Sequence, residues 1–420
     1  MTLRAVLVAS RLLASFLLAS LLLAGGSLRA ETPEEKAGFP PKLIIYLAKG
    51  PPNSCGPGCD HWIAIEGKLD QGAAARIRRF LLGVKDTRRP IYLYSPGGSV
   101  GQSFTIGRLL RSRKAIARIG RTLVAACAAG TQIDDACLKI KSAGGEVEAE
   151  ITTYHAMCNS ACGYLFLGAT TREVAPDAVV AVHSSKLTLT VMGHISAKQI
   201  EEIKARDIAK SNRERAAFIA AMGISHELDD LITTVKFENL HILTRAELYR
   251  FGVDSRQFAE TTWTLERAAR PYVHKRASAK KSDGAFRSME WRLFCEAKDR
   301  ARLMFVREFD QGAAGRTTVV MMGGSEKSLA FGQFPARTGS YEVWSDKIAS
   351  DFMTGVLAAD HLQMGESTLA PDGTKNVSTF DIDTSGLQPA WAQLVASCQA
   401  NPPGAQPATP APGLTSVRAP

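Results

Sequence analysis

The stretch that decides the fold reads Pro90-Ile91-Tyr92-Leu93-Tyr94-Ser95-Pro96-Gly97-Gly98-Ser99-Val100. Its apolar and aromatic first half predicts a buried strand, and residues 100–111 have the periodicity of a helix. The glycine pair between them lets backbone N–H groups point outward at a helix N-terminus, because glycine adopts conformations that other residues avoid. Such a turn can hold a carbonyl oxygen or a developing oxyanion.

The segments on both sides of this turn predict an α/β fold. Short apolar runs predict strands at residues 43–48, 62–66, 115–119, 150–154 and 179–182. Helical patterns alternate with them at residues 70–84, 100–111, 163–167, 196–222 and 243–251. Strand, helix and strand in repetition imply right-handed crossovers and a largely parallel sheet.

Two polar residues follow predicted strands. Ser160 begins a short apolar helix, where the helix dipole favours a nucleophile and the N–H of Ala161 can face an oxyanion. His183 ends the run Val179–Val182, and catalytic side chains of parallel sheets lie at such strand ends. The joint order of these features favours a functional site over the structural role that each residue could have alone.

This order resembles the Clp protease proteolytic subunit, and more closely the exported ClpP-like proteins of the ClpP/crotonase superfamily. The resemblance covers residues 43–256 and implies a repeated ββα fold. Its matching positions are Ile63, Ile65, Gly67, Ser95–Val100, Ser160, Ala161, Leu165, Gly168, Arg172, Ala175, Pro176, Ala178, His183, 243–247 and 251–253.

The resemblance also implies the roles of the site residues. Ser160 would be the nucleophile and His183 its general base, while Gly97 or Gly98 would form the oxyanion hole with Ala161. The family has an Asp shortly before the segment matched by Leu243 and Thr244, and here Asn239 is the nearest occupant. Glu238, Asp229 and Asp230 are alternatives for this third member. An Asn orients a His without charge, and Asp-to-Asn costs a serine protease about 10⁴ in turnover.

The N-terminus and the cysteines predict export. Residues 1–30 carry Arg4, Arg11 and Arg29 around a fifteen-residue apolar or small run, which is typical of a signal peptide cleaved after Ala30. An uncleaved membrane anchor is the alternative. The eight cysteines would then pair in an oxidising space, periplasmic or secreted. They are Cys55, Cys59, Cys127, Cys137, Cys158, Cys162, Cys295 and Cys398.

Spacing suggests local pairings, although eight cysteines allow 105 connectivities. Cys55 with Cys59, Cys127 with Cys137, and Cys295 with Cys398 are the pairs that spacing favours, which leaves Cys158 and Cys162. These two flank Ser160, and disulfides with each other or with Cys127 and Cys137 are expected. Two alternatives remain open for them: a thiol nucleophile paired with His183, and a zinc site formed by His155, Cys158, Cys162 and His183.

The rest of the chain divides by composition. We expect a ClpP/crotonase-like domain at 43–265 with an insertion at 122–150, a basic linker at 266–288, and a small, mostly β domain at 289–398. Cys295 and Cys398 would staple this β domain, and a proline-rich tail, expected to be disordered, follows at 399–420. Of the net charge of +10, much lies in residues 267–287, where there are seven basic residues and one acid. This basic segment is predicted to touch an anionic envelope surface, and specific nucleic-acid binding is not expected.

These observations favour an exported serine hydrolase that acts on peptides or proteins without a cofactor. An inactive binding or scaffold protein on the same fold is the alternative, motivated by Asn239 and the appended β domain. A crotonase-type acyl-CoA enzyme is a third hypothesis, which export away from cytoplasmic CoA disfavours. A homo-oligomer formed through the charged helix 196–222 is a further expectation.

Overall fold

A computed structural model describes residues 38–186, 196–297, 300–309, 316–322, 328–331, 334–369 and 372–398. The predicted signal peptide and the predicted tail lie outside these residues. The chain divides into two compact units, Met1–Gly38 and Phe39–Pro420. Only Gly38 of the first unit is described, and all features below belong to the second. Two large hydrophobic cores divide this second unit into a first module, residues 39–257, and a second module, residues 258–398.

The first module contains ten strands and seven helices among the described residues. The strands are β1 (Ile44–Lys49), β2 (His61–Glu66), β3 (Ile91–Tyr94), β4 (Ile116–Ile119), β5 (Arg121–Val124), β6 (Glu146–Thr152), β7 (Met157–Asn159), β8 (Thr171–Glu173), β9 (Val179–Val182) and β10 (His241–Ile242). The helices are α1 (Ala73–Gly83), α2 (Val100–Ser112), α3 (Asp135–Ser142), α4 (Ala161–Leu167), α5 (Ala197–Ala221), α6 (His226–Thr234) and α7 (Arg245–Arg250).

These strands form two sheets. The larger has the order β5-β6-β1-β2-β3-β4-β8, with β2, β3, β4 and β8 parallel. The smaller has the order β10-β9-β7, in which β7 and β9 are parallel. All four residues of β3 are buried, as expected of a parallel strand covered on both faces. The mixed α/β architecture predicted from the sequence is confirmed.

The predicted insertion extends the larger sheet at its edge. β5 and β6 form an antiparallel pair, and β6 runs parallel to β1. Between them lies α3, whose buried Lys141 donates to Glu66 on β2 at 2.8 Å. The disulfide Cys127–Cys137 closes the excursion.

The second module contains eleven strands and two helices among the described residues. They are β11 (Phe258–Glu260), β12 (Thr264–Glu266), β13 (Tyr272–Lys280), β14 (Phe286–Ala297), β15 (Arg300–Glu308), β16 (Arg316–Met322), β17 (Ser328–Ala330), β18 (Ala336–Thr338), β19 (Tyr341–Ile348), β20 (His361–Leu369) and β21 (Lys375–Asp383), with α8 (Ser350–Ala358) and α9 (Leu387–Ala396).

These strands form two antiparallel sheets around an aromatic core. One has the order β11-β13-β14-β15-β19-β18 with β12 beside β13, and the other has the order β17-β16-β20-β21. Trp263, Trp291 and Trp344 are fully buried between them. Leu387 and Leu394 of α9 join the same core. The disulfide Cys295–Cys398 links β14 to the end of the described chain.

The prediction of a linker at 266–288 is wrong, because this segment forms most of a hairpin. β13 pairs with β14 in continuous antiparallel register, from the pair Val273–Leu293 to the pair Lys280–Phe286. Burial along β13 does not alternate, because residues 273–275 and 277–279 are all buried, and the small and basic residues among them hid the strand pattern. The module boundary correspondingly lies before Phe258, and not at residue 265.

The basic residues of this hairpin are mostly paired. Lys275 is buried, donates to the carbonyl of Thr261 and lies 3.2 Å from Glu260. Arg276 approaches Glu290 at 3.6 Å, and Arg287 bonds Glu366. The segment is therefore a folded part of a sheet. Its contact with an anionic surface stays a prediction, and the ion pairs leave fewer basic side chains available for it.

Within the described ranges, no helix is long and apolar enough to cross a membrane. Four disulfides, Cys55–Cys59, Cys127–Cys137, Cys158–Cys162 and Cys295–Cys398, fit a protein of a non-cytoplasmic compartment.

Candidate active site

The glycine turn after β3 is held in place by both sheets. Ser95 exchanges backbone hydrogen bonds with β7: its N–H donates to Met157 and its carbonyl accepts from Asn159, at 2.9 and 3.0 Å. Leu69 donates to the carbonyl of Gly97 and accepts from Ser99, both at 2.8 Å. The turn is thus fixed on both sides before any ligand binds.

The two glycines of the turn have different environments. The N–H of Gly97 donates to the Ser95 hydroxyl, which in turn donates to the carbonyl of Gly67. The N–H of Gly98 makes no hydrogen bond to the part of the chain that the structure describes. Of the two, Gly98 therefore has the N–H available to an incoming oxygen.

Ser160 lies in a sharp turn between β7 and α4. Its backbone has φ 54° and ψ −124°, in a region that residues with a Cβ avoid, and its side chain makes no capping hydrogen bond. A strained strand-to-helix turn of this kind presents the nucleophile of α/β-hydrolases. Residues held in such conformations cost about 1–3 kcal/mol and cluster at functional sites.

Gly97 packs directly against this turn. A Cβ built on Gly97 would lie 2.8 Å from the Cβ of Ser160 and 3.0 Å from the N atom of Ala161. Ala161 is the first residue of α4, so its N–H has no acceptor within the helix. The structure thus brings together the candidate nucleophile, Ala161 and the glycine turn.

His183 follows β9, which is parallel to β7 and pairs with it. Asn159 is opposite Ala181 in the register, and the N–H of Ser160 donates to the carbonyl of Ala181 at 2.8 Å. Both candidate residues therefore leave their strands at the carboxyl edge of the same sheet. This is where parallel sheets bind their ligands.

The imidazole of His183 is half-buried, and its surroundings lower its pKa. Burial is the largest cause and favours the neutral ring, while the backbone of Phe237 and the charge of Glu238 act in the opposite direction. The ring lies 4.9 Å from that of Phe237, measured between centroids. A hydrogen bond with the Phe237 backbone contributes to this balance, yet Nδ1 is buried and meets no described partner at full hydrogen-bond geometry, so the bond is weak.

The proposed third members lie in different places. Asn239 is exposed in a turn, where its N–H donates to Lys236, and no described hydrogen bond joins its side chain to His183. Asp229 is committed to Arg215 at 2.5 Å, and Asp230 is exposed on α6. Glu238 is the only one of the four acidic or amide candidates whose charge is among the described influences on His183. The role of each residue stays a prediction.

The cysteines on either side of Ser160 form a disulfide with each other. Cys158 ends up on β7 and Cys162 in the first turn of α4, and both are fully buried. A zinc site or a thiol nucleophile needs free thiolates, so both of those alternatives are wrong for this oxidised form.

Two parts of the site were not found in the sequence. Ser95 was read only as part of the turn, yet its hydroxyl bridges Gly67 and Gly97. Phe237 has no role in the sequence-based prediction, yet its ring lies against the imidazole of His183. The local sequence carries no signal for Phe237, because single apolar residues are common on protein surfaces.

Comparison with known proteins gives partial likenesses. No protein-family model matches the chain, and no curated protein matches it. Among solved structures, invasion associated protein b from Bartonella henselae matches 34% of this chain and 92% of its own, with 10% identity and a TM-score of 0.24. A mutant of the 1510-N membrane-bound stomatin-specific protease matches 44% of this chain and 73% of its own, with 16% identity and a TM-score of 0.27.

Proposed function

We propose that this chain is an exported serine hydrolase of the ClpP-like type, a peptidase that acts through Ser160 and His183. The observation that carries the proposal is the turn at Ser160, a non-glycine residue with positive φ, packed on Gly97 and followed by a helix N-terminus. A cap or loop serine has no need of that conformation, whereas a nucleophile that must be presented to a substrate does.

The reaction follows from the positions of these groups. Ser160 Oγ attacks the carbonyl carbon of a peptide bond, while His183 accepts the hydroxyl proton. The N–H groups of Gly98 and Ala161 stabilise the negative oxygen of the tetrahedral intermediate. His183 then protonates the leaving amine, and a water molecule, deprotonated by His183, hydrolyses the acyl ester and restores Ser160.

The electrostatics of His183 suit a general base. Because burial lowers its pKa, the imidazole is neutral near pH 7 and has a free lone pair to accept the serine proton. The site residues need no cofactor for this chemistry. The expected substrates are peptides or proteins, and assembly into a homo-oligomer belongs to the same proposal.

Peptide turnover by the mature, oxidised protein tests the proposal. Wild type should cleave members of a quenched fluorescent peptide library, and Ser160→Ala and His183→Ala should each reduce kcat/KM by at least about 10³-fold. Ser196→Ala, at the cap of α5, is the matched control and should keep wild-type turnover. Cleavage that survives in Ser160→Ala would overturn the assignment.

A binding or scaffold protein on the same fold is the second candidate. The exposed Asn239 and an Nδ1 atom of His183 that no described side chain holds favour it, because a complete triad would hold that nitrogen with a side chain. A partner that binds wild type and Ser160→Ala equally, with no turnover by wild type, would support this candidate over the hydrolase.

A further inference from the structure

The loop of residues 235–240 is hydrogen-bonded at both of its ends to the residues on either side of His183. At its start, the carbonyl of Val235 accepts from the N–H of Ser184 at 2.9 Å. At its end, β10 pairs with β9, so that His241 is opposite Val182. The loop is therefore fixed to the residues immediately before and after His183, and what it carries stays beside the imidazole.

Two side chains of this loop stand out. Phe237 contacts the imidazole of His183 although 42% of its own surface is exposed, and Leu240 is 37% exposed. Glu238, which follows Phe237 in the same loop, is exposed, and its charge raises the pKa of His183.

We propose that Phe237 is a positioning residue for His183, its ring fixing the plane of the imidazole, and that the loop fixed at both ends also holds the charge of Glu238 near this ring. This inference rests on the proposed function for its catalytic meaning, but the effects on His183 can be measured without catalysis. It assigns no orienting role to Asn239.

Phe237 and Glu238 have opposite effects on the pKa of His183, so an experiment can distinguish their contributions. Glu238 raises the pKa of His183, and burial, to which the Phe237 ring contributes, lowers it. The other charged group at this place is Lys186, which follows His183 on the same segment and lies 5.7 Å from the centroid of the Phe237 ring. Lys186 and Glu238 are both exposed, so solvent screens both charges, and Glu238→Gln is expected to change the pKa of His183 only slightly.

The test is the titration of His183 in histidine-labelled protein by NMR, with its resonance assigned by comparison with His183→Gln. Glu238→Gln should lower the pKa of His183 slightly, and Phe237→Ala should raise it. Phe237→Tyr, which keeps the ring, should restore the wild-type titration. Glu202→Gln, an exposed acid on α5, and Leu82→Ala, an exposed apolar residue on α1, are the matched controls and should leave it unchanged.

The same variants are measured for peptide turnover against pH. Glu238→Gln should move the acidic limb of kcat/KM slightly to lower pH, and Phe237→Ala should lower kcat by about tenfold or more with little change in KM, since a misplaced base slows the chemical step. Unchanged titration of His183 in Phe237→Ala would overturn the positioning role, even if Ser160 hydrolyses peptides. Shifted titrations in a protein without turnover would uphold it and reject the proposed function instead.

Discussion

Ser160 is the residue on which the account depends, and its backbone explains its neighbours. With φ at 54°, the chain reverses sharply after β7, and the space beside the reversal is filled by the backbone of Gly97. Gly97 itself has φ 97°. Glycine is therefore required there for two reasons, the backbone conformation and the lack of room for a Cβ. The glycine turn and the serine turn are therefore parts of a single arrangement.

Replacing Gly97 with Ala should disrupt that arrangement. The new methyl group would lie 2.6 Å from the Asn159 carbonyl and 2.8 Å from the Ser160 Cβ, so the free energy of unfolding should fall by about 2 kcal/mol or more. Urea unfolding measures the loss, and the rate of labelling by a serine-directed probe should fall with it.

Gly101→Ala is the matched control for this variant. Gly101 is exposed in the first turn of α2, and nothing lies within 4 Å of its added Cβ. Because Ala is the better helix former, the change should leave stability unchanged or raise it by up to about 1 kcal/mol. Equal behaviour of the two variants would show that Gly97 is not constrained by the serine turn.

Sequence reasoning reached Ser160, His183 and the glycine turn because each follows a recognisable strand. It did not separate Gly97 from Gly98, since only the hydrogen bond from Gly97 to Ser95 shows which N–H is already used. It also missed Phe237, because a contact between residue 237 and residue 183 comes from a loop whose path has no periodic signal.

At the scale of elements, the disulfide Cys158–Cys162 ties the last residues of β7 to the first turn of α4. Its two cysteines are buried and enclose Ser160. The cross-link therefore restricts the same turn that presents the serine, and it does so from inside the core.

The double variant Cys158→Ala/Cys162→Ala tests that role. Loss of a cross-link over so short a loop should lower stability by about 2 kcal/mol in the chain-entropy model. Labelling of Ser160 should also slow, because the turn is no longer held. Cys55→Ala/Cys59→Ala, which removes a disulfide of the same sequence separation, should lower stability similarly but leave labelling unchanged. Equal labelling in both double variants would contradict the role.

The contact between α3 and β2 is a second element-scale feature. Lys141 and Glu66 are both buried and lie 2.8 Å apart, and Glu66 also accepts from the Tyr46 hydroxyl at 3.0 Å. The edge extension of the sheet is thus held to its centre by charge as well as by the β1–β6 pairing.

Lys141→Met should therefore be costly. It leaves the carboxylate of Glu66 buried without its cation, which typically destabilises a protein by about 3–5 kcal/mol. Lys139→Met, an exposed lysine on the same helix, should change stability by less than about 0.5 kcal/mol. Thermal or urea unfolding compares the two, and a similar small effect of both would mean that the buried pair contributes little.

Element boundaries were predictable where apolar periodicity was strong. The expected strand 179–182 and the expected helix 196–222 agree with β9 and α5 to within a residue. The segment 266–288 was misread because its core positions are a valine, two alanines and a buried lysine, and that lysine is satisfied by Glu260 and the carbonyl of Thr261, which lie earlier in the chain. Such tertiary pairing is invisible to a local pattern.

At the scale of the whole molecule, a charged cluster joins the two modules. Asp177, in the loop before β9, lies 3.9 Å from Arg276 on β13, and Arg276 approaches Glu290 at 3.6 Å. His274 and Arg292 complete the cluster around Glu290, at 3.3 and 2.6 Å. The segment that leads to His183 is thus in contact with the second module.

This cluster predicts loss of stability in acid. Burial raises the pKa of Glu290. Hydrogen bonds from His274 and Arg292 and the charges of Arg292 and Arg276 have the larger combined effect and lower the pKa to about 2. Since the unfolded value is higher, near 4.3, the stabilisation is present above that value and is lost as the pH falls toward 2. The depression corresponds to about 3 kcal/mol.

Urea unfolding between pH 5 and pH 2 measures this contribution. Glu290→Gln should show a shallower fall of unfolding free energy with acid than wild type, while Asp381→Asn, an exposed acid on β21, should follow wild type. Parallel curves for wild type and Glu290→Gln would contradict the assigned role of Glu290.

The central claim, that Ser160 is a nucleophile activated by His183, is tested most directly by covalent labelling. Mature, oxidised protein is treated with a fluorophosphonate, and the modified residue is identified by peptide mass spectrometry. The account predicts one adduct, on Ser160, formed in wild type, much slowed in His183→Ala and absent in Ser160→Ala. Unmodified Ser160 in folded wild-type protein, or equal labelling with and without His183, would contradict it.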